Sequence, residues 1–427
     1  MGEFTLGNLP GTRDLLPEDT ALWQFIEETA RTTFGRYGFS EIRTPIIEPT
    51  ELFARSIGAD TDIVGKEMYT FRDQSDRSVT LRPEGTASVM RAYIQNTMYR
   101  EGGLRKLYYH GPMFRHEKKQ KGRWRQFFQV GAEAIGAEHP AVDAEIIEMA
   151  IVLLERLGIK ARLLVNSVGC HDCRPRYVEL LRERLQKDIG GFCEDCCRRA
   201  DTNPLRVLDC KIASCQPLIA GLPVITDHLC EDCSAHFTRL RAHLDDAGIA
   251  YEIVPRLVRG LDYYVRTAFE IVSGDLGSQN ALAGGGRYDG LSEILGGPAA
   301  PAIGFALGLD RLAMLLGEQR AATADDAGRR GPELFLAWMG DAAFDRALVI
   351  ARLLRGRGHH CYVDFGEGRL KSQMRLANKL GAQHVLIIGE DELAREKYSI
   401  KRFADSQQWE VTLSELKEYL AANSKRC

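Results

Sequence analysis

The 427-residue chain has no run of eighteen apolar residues, so no membrane-crossing helix is expected. It has little net charge: 56 Lys+Arg against 59 Asp+Glu leave −3, with a pI near 6.4. A global electrostatic footprint for nucleic acid is therefore missing, and any such binding must use local patches. The usual local signatures of catalysis are missing as well. There is no GxxxxGKS/T loop, no GxSxG elbow and no HExxH helix, so nothing local points to a Walker-type nucleotide site, a serine nucleophile or zinc hydrolysis. The glycine run AGGGRYDGL fits neither the Walker nor the GxGxxG spacing, and by itself it reads as a tight turn. The opening MGEFTLGNLPGTRD carries no apolar signal core, and Leu6 stands where a myristoylation pattern needs Ser or Thr. Cytoplasm is the expected compartment.

What is present is a soluble globular balance, 44% hydrophobic and 27% charged, at a length that calls for two or three domains. A helix is expected from Asp19 as its cap to about Tyr37, ended by Gly38. FSEIRTPII reads as a strand in which Pro45 removes a donor, which puts it at a sheet edge or an interface. Leu107–Phe114 and Phe127–Ile135 read as a long hairpin, and residues 142–157 as an amphipathic helix. From about Asn166 to Phe237 the sequence turns rich in Cys, Asp and Arg, as an insertion would. Residues 317–332, GEQRAATADDAGRRGP, form the clearest linker. Beyond it, ELFLAWM, HHCYVDF and HVLIIGED alternate with helical stretches, as in a small α/β domain. Residues 333–427 hold 15 Lys+Arg against 13 Asp+Glu, or +2, which leaves 41 against 46, or −5, for the rest.

The hairpin tip, FRHEKKQKGRWRQFFQ, is the most charged stretch. Arg115, Lys118, Lys119, Lys121, Arg123 and Arg125 place six cations within eleven residues, opposed only by Glu117. A charge run of this kind is usually a solvated face. Arg259 in LVRGLDYY and Arg311 after GFALGLD also stand beside apolar strand sequence or glycine. Guanidinium forks match phosphate oxygens and never lose their charge, so together these arginines suit a polyanion such as a nucleoside triphosphate. Phe127 or Trp124 is a candidate to stack on a base. Glu84 in RPEGT and Glu133 in VGAEAIG are acids that, if buried, suit an ammonium or imidazolium group.

These stretches carry a resemblance. GFSEIRTPII, FRHEKKQKGRWRQFFQ and GFALGLDR resemble the three motifs of class II aminoacyl-tRNA synthetases. LVRGLDYY and GGGRYDGL resemble the histidine-specific signatures of the histidyl-tRNA synthetase family, and LPGTRDLLPED resembles its opening. The resemblance implies an α+β fold. A six-stranded antiparallel catalytic sheet would span residues 1–325, with the insertion at about 166–237 inside it. An anticodon-binding α/β domain would follow at 333–427. It implies that Glu84, Gly85, Thr86 and Gln129 hold the amino-acid ammonium end, and that Glu133 and Tyr264 bracket the imidazole with Tyr263 and Tyr288 nearby. Arg115 would meet the α-phosphate, Arg123 the γ-phosphate with Glu117 beside it, and Phe127 and Arg311 the adenine. Arg259 would sit between α-phosphate and substrate carboxylate, which makes Arg259 and Arg115 the catalytic pair. Implied partners are ATP with Mg²⁺, L-histidine, tRNA(His) and a second copy of the chain across Pro45, with no membrane. Many relatives have Arg-Pro where Lys118 and Lys119 stand, and His where Phe128 stands; neither departure touches a substrate contact. The rival reading is a regulatory subunit of ATP phosphoribosyltransferase, which resembles the catalytic core but typically lacks the tail and degrades the histidine signatures.

Nine of the eleven cysteines lie between Cys170 and Cys233. Cys170/Cys173, Cys193/Cys196 and Cys230/Cys233 are CxxC pairs, and Cys193, Cys196, Cys230 and Cys233, from two identical CEDC turns, are the best four for one zinc. The gap between those turns exceeds the ~15–20 residues of compact zinc modules. The expectation is therefore reduced thiols packed as small apolar groups, with no metal site.

Overall fold

The computed structural model describes residues 6–58, 61, 63–117, 122–274, 281–323, 331–366 and 369–424. The chain divides into two compact units, Met1–Ala324 and Asp325–Cys427.

In the first unit the strands are β1 (Ser40–Glu41), β2 (Ile47–Pro49), β3 (Tyr69–Arg72), β4 (Ser78–Leu81), β5 (Arg105–Phe114), β6 (Gln126–Ile135), β7 (Arg162–Ser167), β8 (Tyr251–Ile253), β9 (Val265–Val272), β10 (Ala281–Arg287) and β11 (Ala302–Gly308). The large sheet has eight strands in the order β1-β5-β6-β11-β10-β9-β7-β8. Its six inner strands are antiparallel neighbours, and a short parallel strand closes each edge. The six strands expected are thus the inner six of an eight-stranded sheet; the edge strands β1 and β8 are too short to announce themselves by alternation.

FSEIRTPII does not make one strand. It splits into β1, paired with β5, and β2, which joins β3 and β4 in a separate three-stranded antiparallel sheet. Pro45 falls between the two pieces, where its missing N–H costs no ladder bond. The first helix runs Pro17–Arg36 and is capped by Leu16 rather than Asp19; Asp19 lies in its first turn. Proline fits the first helical position because that N–H has no intrahelical partner. Trp23, Ile26 and Phe34 of this helix pack with Ile146, Ile147 and Leu153 of the helix Pro140–Arg156 against the sheet residues Val130, Phe269, Ile303 and Phe305. Each such fully buried side chain contributes about 1.5–3 kcal/mol.

Between β7 and β8 the chain runs through helices Arg174–Lys187, Glu194–Thr202, Gln216–Ala220 and Glu231–Asp246. The first three form a small core of their own around Tyr177, Leu181, Ala200, Val207 and Ile219. The last lays Phe237, Leu240 and Leu244 into the main core. The helix Leu309–Thr323 continues into the expected linker, and residues 324–330 of that linker lie outside the described residues.

The second unit is a mixed sheet of β12 (Leu334–Trp338), β13 (Cys361–Val363), β14 (His384–Ile388), β15 (Tyr398–Arg402) and β16 (Gln408–Val411), in the order β13-β12-β14-β15-β16. The first three strands are parallel and the last two antiparallel. The apolar face of the helix Asp341–Arg355 packs Ala347, Ile350 and Leu354 against Leu334, Leu386 and Ile388.

Candidate active site

The antiparallel strands carry one cleft of about 310 Å³. Glu84, Thr86, Arg115, Glu117, Arg123, Phe127, Gln129, Arg259, Tyr263, Tyr264 and Arg311 all line it. Of the residues singled out in the sequence, Gly85, Glu133 and Tyr288 are not on its surface. They support it from behind: Glu133 is fully buried and takes hydrogen bonds from Thr86 Oγ1 (2.7 Å) and the Tyr288 hydroxyl. Lys118, Lys119 and Lys121 lie outside the described residues.

The two glutamates are held differently. Glu84 accepts from the backbone N–H groups of Thr86 (2.6 Å) and Ala87 (2.9 Å), at the start of the helix Thr86–Gln95. Burial pushes its carboxyl up, and those N–H groups pull it back. Burial also raises Glu133, to about 8, against the lowering effect of the Tyr288 and Thr86 hydroxyls; the nearby Glu84 charge adds to the rise.

The arginines are held by acids and carbonyls. Arg115 donates to the Pro83 carbonyl (2.9 Å), lies 3.8 Å from Glu117, and stacks over Phe127 at 5.4 Å. Arg123 pairs with the other oxygen of Glu117 at 2.7 Å. Glu117 therefore ties the two hairpin arginines together. Arg259 pairs with Glu270 at 2.9 Å. Arg311 donates to the Ala281 carbonyl, and its pKa is lowered by burial and by the Arg123 charge. Among the described residues, Gln129 Oε1 and Arg259 Nε are buried polar atoms with no hydrogen-bond partner. Such atoms are expensive unless something polar completes them.

The glycine run is not a turn. Ala281–Arg287 is strand β10, and its glycines make room. A methyl group at Gly284 would lie 1.6 Å from Arg259 Nη2. On the neighbouring strand, a methyl group at Gly304 would lie 1.7 Å from Glu133 Oε2. The run's arginine, Arg287, is wholly buried against Asp143 (2.8 Å) and serves the fold. Sequence reading missed two contributors. Tyr109 is buried beside Glu133 and Glu84, across the hairpin from Gly131, and a methyl group at that glycine would strike its ring. The signal was a glycine facing an aromatic in register. Glu270, partner of Arg259, had no signal beyond its place in a strand.

A cleft with four arginines, one buried glutamate on its wall and a second behind it, and three unsatisfied polar atoms (Gln129 Oε1, Arg259 Nε and the Tyr263 hydroxyl) can neutralise several negative charges beside a small cationic or N–H-rich group. The profile described as Histidyl-tRNA synthetase matches residues 11–173 and 217–312, and that described as Anticodon binding domain matches residues 333–423. A protein of Solibacter usitatus named histidine--tRNA ligase is 53% identical over 417 residues, covering 97% of this chain and 98% of that one. One of Trichlorobacter lovleyi with the same name is 50% identical over 411 residues, 96% of each chain. The crystal structure of the apo histidyl-tRNA synthetase of S. aureus aligns with a TM-score of 0.82 at 40% identity, over 97% of this chain and 99% of that one. The chain belongs to the histidyl-tRNA synthetase family, with a catalytic unit followed by an anticodon-binding domain.

Proposed function

We propose that this chain attaches L-histidine to tRNA(His) in two steps at the cleft. In the first, a histidine carboxylate oxygen bonds to the α-phosphorus of ATP, the α–β bridging bond breaks, and pyrophosphate leaves. The carboxylate is already ionised near neutrality, so no general base is required. The work is positioning and neutralising charge. In the second, a terminal ribose hydroxyl of the tRNA attacks the activated carbonyl and AMP leaves.

The observation that carries this reading is the convergence of Arg115, Arg123, Arg259 and Arg311 on one cleft with Thr86, Gln129, Tyr263 and Tyr264. Arg115 and Arg259 take the α-phosphate, with Arg259 also facing the substrate carboxylate. Arg123 takes the γ-phosphate once Glu117 releases it. Phe127 and Arg311 hold the adenine. Glu84, Thr86 and Gln129 hold the ammonium, and the free Gln129 Oε1 fits a donor there. Glu133, with Tyr264, Tyr263 and Tyr288 around it, reads the imidazole N–H. Mg²⁺ would travel with ATP, and the Glu117 carboxylate, beside the phosphate-binding arginines on the cleft wall, is a hard oxygen group that would hold it. When bound, it would add to the charge neutralisation that the arginines supply.

Residues 333–427 bind the anticodon end, and the hairpin-tip cations attract the acceptor end in a salt-dependent way. The chain acts as a cytoplasmic homodimer through the segment at Pro45. Edge strand β2 and the exposed Ile46, Ile47 and Phe71 support that surface. The regulatory-subunit reading is disfavoured by the complete arginine set and by the tail. ATP–pyrophosphate exchange run separately with each amino acid tests the proposal: exchange must depend on histidine, and equal exchange with another amino acid refutes it.

A further inference from the structure

Eight of the nine cysteines between Cys170 and Cys233 are gathered into two sets of four, Cys170/Cys173/Cys230/Cys233 and Cys193/Cys196/Cys210/Cys215. The two CEDC turns, whose cysteines are by sequence the best four for one zinc, each join a different set. In the first set the sulfurs of Cys170 and Cys173 are 3.8 Å apart, of Cys170 and Cys230 3.7 Å, and of Cys173 and Cys233 3.9 Å. In the second, those of Cys193 and Cys210 are 3.9 Å apart. Within each set all four sulfurs lie within 4.8 Å of one another.

A regular tetrahedron with metal–sulfur bonds of ~2.3 Å has edges of about 3.75 Å. A disulfide would need ~2.05 Å. Packing of thiols as small apolar groups gives no reason for four sulfurs from separate segments to converge, twice. The ninth cysteine shows the ordinary alternative: Cys197 directs its sulfur at the carbonyls of Ile189 (3.4 Å) and Phe192 (3.7 Å).

We propose that each set binds one Zn²⁺ as a tetrahedral tetrathiolate. Four thiols lose their protons and form four Zn–S bonds at each site, so no redox partner is required. All-sulfur tetrahedral ligation selects zinc or iron. Sulfurs this close fit one ion and not a multi-iron cluster.

The sites sit where the insertion needs them. The first joins the turn after β7 to the start of the helix Glu231–Asp246, closing the neck through which the chain enters and leaves the insertion. The second pins the helix Glu194–Thr202 to the segment 210–215 within the insertion's small core. Both reach the cleft. Arg174, next to Cys173, donates to the carbonyls of Val168 (2.9 Å), Gly169 (3.3 Å) and Tyr264. Arg206 donates to the Arg259 carbonyl (3.3 Å), and Asn203 to the Asp262 carboxylate (3.1 Å). The ions thus brace the segment 259–264 that carries Arg259, Tyr263 and Tyr264. That consequence rests on the proposed function; metal binding itself does not.

The test is elemental analysis of the full-length protein, purified without added zinc or chelator. Two zinc equivalents per chain are expected. Cys173→Ser/Cys233→Ser and Cys196→Ser/Cys210→Ser should each leave one, and the fourfold variant none. Should a variant fail to fold, the wild-type count still decides. Chelation of the wild type should also remove hydrogen-exchange protection from 168–246 and 259–264 while leaving 333–424 protected. A folded wild-type protein without stoichiometric zinc and with freely titrating thiols overturns the proposal. So does bound iron, or disulfides within the sets. A count of one, lost in only one of the paired variants, overturns the other site.

Discussion

Gly284→Ala separates stability from chemistry at the point where the cleft depends most on a missing side chain. Gly284 lies within antiparallel strand β10, opposite Ala306 and Glu270, at an ordinary extended backbone angle, so alanine suits the backbone. The new methyl carbon would meet Arg259 Nη2 at 1.6 Å and Cζ at 2.3 Å, far inside contact distance. What must move is the end of a flexible side chain, and the ion pair it surrenders, Arg259–Glu270, is partly exposed. Such pairs are worth about 0–1 kcal/mol, and removing a strand glycine recovers about 0.5–1 kcal/mol. Net stability should therefore change by less than about 1 kcal/mol. The guanidinium, however, leaves its place beside the cleft. Loss of one preorganised charge contact costs on the order of 10²–10³ in rate. Histidine-dependent pyrophosphate exchange should fall by that factor while the ATP KM changes less, and Arg259→His should reproduce the loss. Urea denaturation supplies the stability control. Gly284→Ala with near-normal exchange would refute the placement of Arg259; equal losses in rate and ATP binding would assign it to ground-state binding.

Three further outcomes are expected. Glu133→Gln keeps a polar group in reach of the Thr86 and Tyr288 hydroxyls but removes the carboxyl group proposed to read the imidazole, so histidine kcat/KM should fall by roughly 10–150-fold, the equivalent of ~1.5–3 kcal/mol, with ATP KM unchanged. A wild-type rate sinks the specificity assignment. Because the folded Glu133 carboxyl is raised to about 8, it favours the folded state at low pH, and that contribution drains away as pH rises from about 4.3 to about 8. Urea midpoints across this range should show Glu133→Gln gaining on the wild type as pH rises, and parallel curves would contradict the raised value. A chain ending at Ala324 should keep histidine-dependent exchange yet lose most tRNA charging; full charging would show that residues 333–427 are dispensable for recognition.

What the sequence made legible was whatever repeats over a short span. The β5–β6 hairpin announces itself by apolar alternation on both sides of a charged tip, whereas Pro45, which pointed to a sheet edge or an interface, marks the place where the expected strand breaks into β1 and β2. The arginines and the histidine signatures were readable because their residues stand together in short motifs. Contacts that close across the chain were not. Glu133 meets Thr86 and Tyr288 from 47 and 155 residues away. The cysteines show the limit most clearly: the CEDC repeat pointed to the wrong partners, because the fold brings Cys170 and Cys173 across 60 residues to Cys230 and Cys233, and gives the other turn Cys210 and Cys215. Strands β15 and β16 escaped for a simpler reason, since YSIKR and QWEV are short and hold only two apolar residues each.

The central claim is tested most directly by charging. Full-length protein is mixed with ATP, Mg²⁺, labelled histidine and a tRNA(His) transcript, and acid-stable label on the tRNA is counted beside AMP release. Label should accumulate only with histidine and tRNA(His), one histidine per AMP, with no transfer to a tRNA of another specificity. Histidine-dependent pyrophosphate exchange without any label on tRNA(His), or no activation of histidine at all, would contradict it.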